Sequence, residues 1–100
     1  MTFVEDMDAA CADADVVYAK AWGSHLDYGD RDAGAARNAL HGGWTVGSDQ
    51  LGSAAFMHCL PIRRNVVATD AVLDGPQSLV QTQAANRMWA QMALLLRMLT

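Results

Sequence analysis

The residue types with the most chemical reach stand together at His58-Cys59-Leu60-Pro61, with Arg63-Arg64-Asn65 directly behind. An apolar lead-in, Ala54-Ala55-Phe56-Met57, runs into His58 and Cys59, and Pro61 stops it. The pattern predicts a buried strand that delivers an imidazole and a thiol to its C-terminal tip. In open parallel sheets ligands bind outside such tips. Two forked guanidinium groups just beyond the tip suit a planar anion such as a carboxylate. Lys20 follows a second apolar run, Val16 to Ala19, and so adds a cation at a second tip.

Each of these residues also has a plainer reading. His58 could donate to a ligand or be satisfied by backbone partners, and position alone does not separate the two. Cys59 could face a ligand or be a small buried hydrophobe, the usual fate of a free cysteine. Arg63 and Arg64 could be a solvated loop, and Arg87 alone reads as an exposed helix arginine. A Cys–His dyad for acyl transfer fits poorly, because adjacent residues of a strand point to opposite faces.

The elements that must position these groups alternate along the chain. Asp6 can cap a short helix through about Asp13, with Met7, Ala10 and Cys11 on one face. Val16 to Ala19 reads as a parallel strand buried on both faces. Trp22 to Gly29 reads as a loop; Trp22 could pack beside Lys20, and core packing is the preferred reading. Asp30 to Leu40 is a predicted helix ended by Gly42-Gly43. Ser48 is expected to cap one more helical turn. Ala55 to Leu60 is the second strand, and Thr69 caps a brief helix that Gly75-Pro76 ends. Ser78 to Val80 is expected as a short third strand. Gln83 to Leu99 is the clearest helix, with Ala85, Met88, Met92, Leu95, Leu96 and Leu99 at helical spacing. The alternation predicts an α/β fold: part of a Rossmann-like three-layer sandwich with a small parallel sheet and a long C-terminal helix. So few strands cannot cover the last helix, and its apolar face is expected to be exposed and to favour self-association.

Composition narrows the function classes. One hundred residues at 52% hydrophobic allow one domain with a modest core. A formal net charge of −4 argues against a nucleic-acid footprint. The two cysteines lack metal-ligand spacing and fit a reducing cytosol, with Cys11 as inert packing. No basic segment followed by an apolar run marks a signal peptide, and the longest apolar run is too short to span a bilayer. A dinucleotide module is disfavoured because no G-x-G-x-x-G occurs.

The block His58-Cys59-Leu60-Pro61-x-Arg63-Arg64-Asn65-x-x-x-Thr69-Asp70 resembles the ornithine-side signature of the aspartate/ornithine carbamoyltransferase family. It is most similar to members that act on N-acetylated or N-succinylated ornithine. The similarity extends along the chain. It takes in Asp15-Val16-Val17-Tyr18-Ala19-Lys20-Ala21-Trp22-Gly23-Ser24 and Trp44-Thr45-Val46, then Ala71-Val72-Leu73-Asp74-Gly75-Pro76 and Gln83-Ala84-Ala85-Asn86-Arg87. The family's Ser-x-Arg-Thr-Arg loop for carbamoyl phosphate and its His-Pro-x-Gln segment do not occur. Residues 1–100 are therefore expected to be part of the amino-acceptor domain, without the carbamoyl-phosphate domain and inactive alone.

The resemblance implies roles. His58 and Arg87 would meet the carbamoyl oxygen. The Cys59 sulfur and the Leu60 carbonyl would lie near the acceptor amine, giving His58, Cys59 and Arg87 as catalytic residues. Lys20, Leu60 and Arg63 would bind substrate, with Arg63 on the α-carboxylate and Arg64 making structural bonds. Lys20 points to an acylated acceptor on physical grounds as well. An aspartate there would suit a free α-ammonium, and acylation removes that charge. The implied partners are carbamoyl phosphate and an ornithine derivative, in a cytosolic homo-oligomer, a trimer in the family, serving arginine biosynthesis without metal or organic cofactor. The departures are Ala85 where an acidic residue is common and Val67 where some relatives carry lysine. Ornithine carbamoyltransferase itself and a noncatalytic module docking on a full-length relative are the alternatives.

Overall fold

A computed structural model describes residues 1–21 and 23–100; Trp22, and with it the expectation of its packing, lies outside the described residues. The elements run α1 (Met7–Cys11), β1 (Val16–Ala19), a 3-10 turn (His25–Asp27), α2 (Arg31–Leu40), α3 (Ser48–Leu51), β2 (Ala55–His58), α4 (Asp70–Leu73) and α5 (Val80–Leu99). The α/β class, the small parallel sheet and the long C-terminal helix agree with the sequence expectation.

Short polar residues start the helices by accepting the first free N–H groups. Asp6 accepts from Ala9 N at 2.7 Å, Asp30 from Asp32 N and Ala33 N, and Thr69 from Val72 N. Ser48 is not a cap. It is the first residue of α3, and the capping position falls on Gly47, whose N–H donates to Gln50 Oε1 at 3.1 Å. The Gln50 side chain thus satisfies the N–H of the capping residue, and no side chain caps the first turn from outside. After α4 the chain needs Gly75, because a Cβ there would sit 2.5 Å from the Ala71 carbonyl oxygen.

β1 and β2 pair in parallel, with Val16 opposite Ala55 and Ala19 opposite His58. On the other edge of β2, Phe56 N donates to Gln77 O at 2.9 Å and Leu79 N donates to Phe56 O at 2.8 Å. The expected third strand, Ser78–Val80, is thus a single bridge at Ser78. Val80 already belongs to α5, which begins three residues before the expected Gln83. The local preference of the Gln- and Ala-rich run for helix outweighs a strand too short to add further ladder bonds.

The core is Ala19, Val46, Leu51, Ala54, Phe56, Val67, Ala68, Val72 and Val80, with Phe56 and Val67 wholly buried. The expectation that β1 is buried on both faces is corrected. Val16 and Tyr18 are about half exposed, while Ala19 is buried. β1 is an edge strand with only one covered face, so it alternates as a half-buried strand does. The base of α5 packs on β2, but beyond Arg87 the helix stands clear. Met88, Met92, Leu95 and Leu96 are between 46% and 63% exposed.

Candidate functional site at the tip of the second strand

β2 ends at His58, two residues earlier than the sequence suggested, because Leu60 enters the left-handed region at φ 55°. The Leu60–Pro61 peptide that follows is cis. His58 itself is 1% exposed. Its backbone N–H donates to Gln83 Oε1 at 3.1 Å, and its Nδ1 accepts the Leu60 N–H at 2.9 Å. A neutral ring whose Nδ1 accepts carries its proton on Nε2. That nitrogen is buried and has no hydrogen-bond partner among the described residues. Burial also pushes the imidazole below its ordinary pKa, which favours the neutral form. The side chain therefore faces inward and holds Leu60.

Cys59 is half-buried, and its carbonyl accepts from Arg87 Nη2 at 2.8 Å. No hydrogen bond joins its thiol to the His58 ring, whose Nδ1 is engaged by Leu60, so the geometry offers no Cys–His dyad. Lys20 is exposed one residue beyond β1. The parallel register ends with Ala19 opposite His58, so Lys20 leaves β1 at the same end of the sheet at which Cys59 leaves β2.

The two tip arginines divide. Arg64 Nη1 donates to Asp70 at 2.7 Å and to Asp74 at 2.9 Å, and Nη2 donates to Asp74 at 2.7 Å. These bonds hold the guanidinium charged and lower the Asp74 carboxyl below its usual range, while Asp70 is lowered first by its Asn65 hydrogen bond and then by Arg64. Asn65, with φ 57°, completes the clamp by exchanging two hydrogen bonds with Asp70. Arg63 is exposed and makes no hydrogen bond or ion pair with any described side chain. It lines a cavity of about 330 Å³ together with Asn38, His41, Thr45 and Asn65. Val67 is fully buried, so the branched aliphatic side chain there is core.

The fold thus gathers His58, Cys59, Leu60 and Arg87 at one point, sets Lys20 alongside, and puts Arg63 on a neighbouring cavity facing α2. Two contributors escaped the sequence reading. Gln83 donates through Nε2 to Tyr18 Oη at 2.9 Å while it accepts from His58. Its spacing of four from Arg87 was the available signal, since such residues share a helix face. Among the described residues no three His, Cys, Asp or Glu side chains group as a metal site requires, and no helix is long and apolar enough to cross a membrane.

Residues 1–98 match the family described as aspartate/ornithine carbamoyltransferase, Asp/Orn binding domain. The chain belongs to this family. Its carbamoyltransferase relatives include three acceptor types. It is 44% identical to an ornithine carbamoyltransferase of Methanoculleus marisnigri, over 99% of this chain and 32% of the relative. It is 41% identical to an N-succinylornithine carbamoyltransferase of Bacteroides fragilis, over 94% of this chain and 29% of that one. It is 39% identical to an N-acetylornithine carbamoyltransferase of Xanthomonas campestris, over 90% and 27%. Among solved structures, an N-acetyl-L-ornithine transcarbamylase superposes with a TM-score of 0.80 at 38% identity, covering 92% of this chain and 29% of its own. An acetylornithine transcarbamylase complexed with acetylcitrulline gives 0.78 at 39% identity, covering 90% and 28%. The chain spans about a third or less of the length of these carbamoyltransferases. The identities fall within a few per cent of one another, so they do not separate the acceptor types.

Proposed function

We propose that this chain is the acceptor-binding part of a carbamoyltransferase that moves the carbamoyl group of carbamoyl phosphate to the δ-amine of an N-acylated ornithine. The observation that carries the reading is the contact of Arg87 with the Cys59 carbonyl. It joins the arginine expected on the carbamoyl oxygen to the residue expected beside the amine. A guanidinium has five donors, so the bond to Cys59 leaves others for the carbonyl oxygen of the donor. In the reaction the amine nitrogen attacks the carbamoyl carbon and the carbon–oxygen bond to phosphate breaks. The displaced proton leaves with the phosphate. Charge builds on the carbonyl oxygen, where a fixed cationic donor is most effective. No side chain needs to become covalently attached, which suits a tip without a thiol–imidazole pair.

Arg63 is the free fork for the α-carboxylate, since Arg64 is already consumed by Asp70 and Asp74. Cys59 and Leu60 line the amine's place. Lys20, at the neighbouring strand tip, would repel a free α-ammonium and tolerate the neutral amide of an acylated one. His58 serves by holding Leu60. Cations for the phosphate would come from a carbamoyl-phosphate domain, and the family's assembly is a trimer.

The test is a graft in which residues 1–98 replace the matching segment of the Xanthomonas campestris enzyme. The 100-residue chain alone is expected to make no carbamoylated product, whereas the graft does. In the graft Arg63→Ala should raise the acceptor KM about tenfold or more, the worth of one bidentate charge-assisted contact, with the carbamoyl-phosphate KM unchanged. A graft that folds yet transfers nothing contradicts the proposal.

A second reading takes free ornithine as the acceptor, and the 44% identity to the Methanoculleus ornithine carbamoyltransferase is compatible with it. Lys20 stands against it.

A further inference from the structure

Three successive residues of the tip are each gripped by a side chain. The His58 N–H is held by Gln83, the Cys59 carbonyl by Arg87, and the Leu60 N–H by His58 Nδ1. The first two grips come from one face of α5, one turn apart. Leu60 lies in a backbone region that a leucine rarely adopts, and such a residue persists only where its surroundings over-determine it. Gln83 also reaches across to Tyr18 Oη on β1. Its amide therefore ties β1, β2 and α5 at the end where the acceptor would bind.

We propose that Gln83 is the positioning residue of the acceptor tip, which sets α5 against β2 so that Arg87 meets the Cys59 carbonyl. The assignment rests on the functional reading above for its consequence in catalysis, but not for its geometry. The chemistry required is narrow. The group at position 83 must offer an oxygen to the His58 N–H, and a second polar atom to the Tyr18 hydroxyl. A glutamate meets both demands, because its second oxygen accepts from the phenol as readily as the amide N–H donates to it. A methionine fills the same length and meets neither. Without Gln83, the His58 N–H is left without an acceptor and α5 loses its register with the tip.

The experiment begins with the labelled 100-residue chain itself. A coupling across the hydrogen bond between the His58 amide nitrogen and the Gln83 side-chain carbonyl carbon is expected; its absence in the folded chain overturns the proposal. Hydrogen exchange then compares Gln83→Met with Gln83→Glu. In the methionine variant His58 and Leu60 should exchange about tenfold faster, as expected for a local opening. The Val46 amide, which donates to Val67 O, and the Thr69 amide, which donates to Val46 O, should hold. Glutamate should restore the protection. Uniform acceleration at all amides would make Gln83 a general stability residue and contradict the assignment. In the graft, Gln83→Met should raise the acceptor KM about three- to tenfold, leave the carbamoyl-phosphate KM unchanged, and be rescued by glutamate. A graft inactive even with Gln83 in place would count against the function proposed above, while the spectra of the chain would still decide the role of Gln83.

Discussion

Arg87 Nη2 lies 2.8 Å from the carbonyl oxygen of Cys59, which fastens the long C-terminal helix to the tip of the central strand across 28 positions of sequence. A helix whose outer half stands in solvent is thus fixed at its base, where its polar residues meet the sheet.

If Arg87 stabilises charge on the carbamoyl oxygen, its loss should act on the chemical step. In the graft, Arg87→Ala should lower kcat by about 10²–10³, the typical cost of removing one positioned oxyanion donor. The acceptor KM should move much less. Steady-state kinetics with each substrate varied in turn checks this; an unchanged kcat would show Arg87 to be a structural tie only.

The Arg64 clamp should carry a pH and salt signature. Asp70 and Asp74 have folded pKa values below their unfolded ones. Their contribution is therefore full above the unfolded carboxyl range, about pH 4, and is lost as pH falls through the depressed folded values. The thermal midpoint of the chain should fall below about pH 4 more steeply than that of Arg64→Met. High salt should narrow the gap between them, since all three side chains are more than half exposed. Parallel pH curves for the two proteins would contradict the clamp.

His58 should titrate with the opposite chemistry and a similar sign. Its imidazole is held neutral, so its folded pKa lies below the unfolded value of about 6.5. The unfolded chain then binds more protons as pH drops below about 6.5, and stability should fall over that interval. His58→Asn keeps an acceptor for the Leu60 N–H and removes the proton, so that part of the pH dependence should vanish. Chemical denaturation between neutral and mildly acid pH is the check, and an unaltered slope in the variant would be the contrary result.

Stability should reside in the sheet layer rather than in the outer turns of α5. Phe56→Ala removes a fully buried ring and should cost about 3–5 kcal/mol. Leu95→Ala, at a side chain 55% exposed, should cost under about 1 kcal/mol. Equal losses in denaturant midpoints would show that α5 is packed along its length.

The tip was legible in the sequence because apolar Ala54–Met57, the reactive pair and Pro61 leave few other arrangements, and because Arg63 and Arg64 are adjacent. Arg64 makes structural bonds, to Asp70 and Asp74. The faces were less legible. Val16 and Tyr18 have strand propensity whether or not anything covers them, and only tertiary packing shows that β1 is half open. Ser78–Val80 looked like a strand by residue type, yet the helix claimed Val80. The inward turn of His58 was hidden because it depends on the left-handed Leu60, a backbone state that leucine does not advertise. Gln83 was hidden because an amide early in a helix looks like any solvated residue until its partners, 25 and 65 positions away, are seen.

The claim that this site takes an N-acylated ornithine is tested most directly by kcat/KM of the graft for N-acetylornithine and N-succinylornithine against ornithine, with Lys20 and with Lys20→Asp. The graft should prefer one of the acylated acceptors over ornithine by about tenfold or more, the effect of a single unfavourable charge contact, and aspartate should shift the preference toward ornithine. A graft that favours free ornithine with Lys20 in place would contradict it.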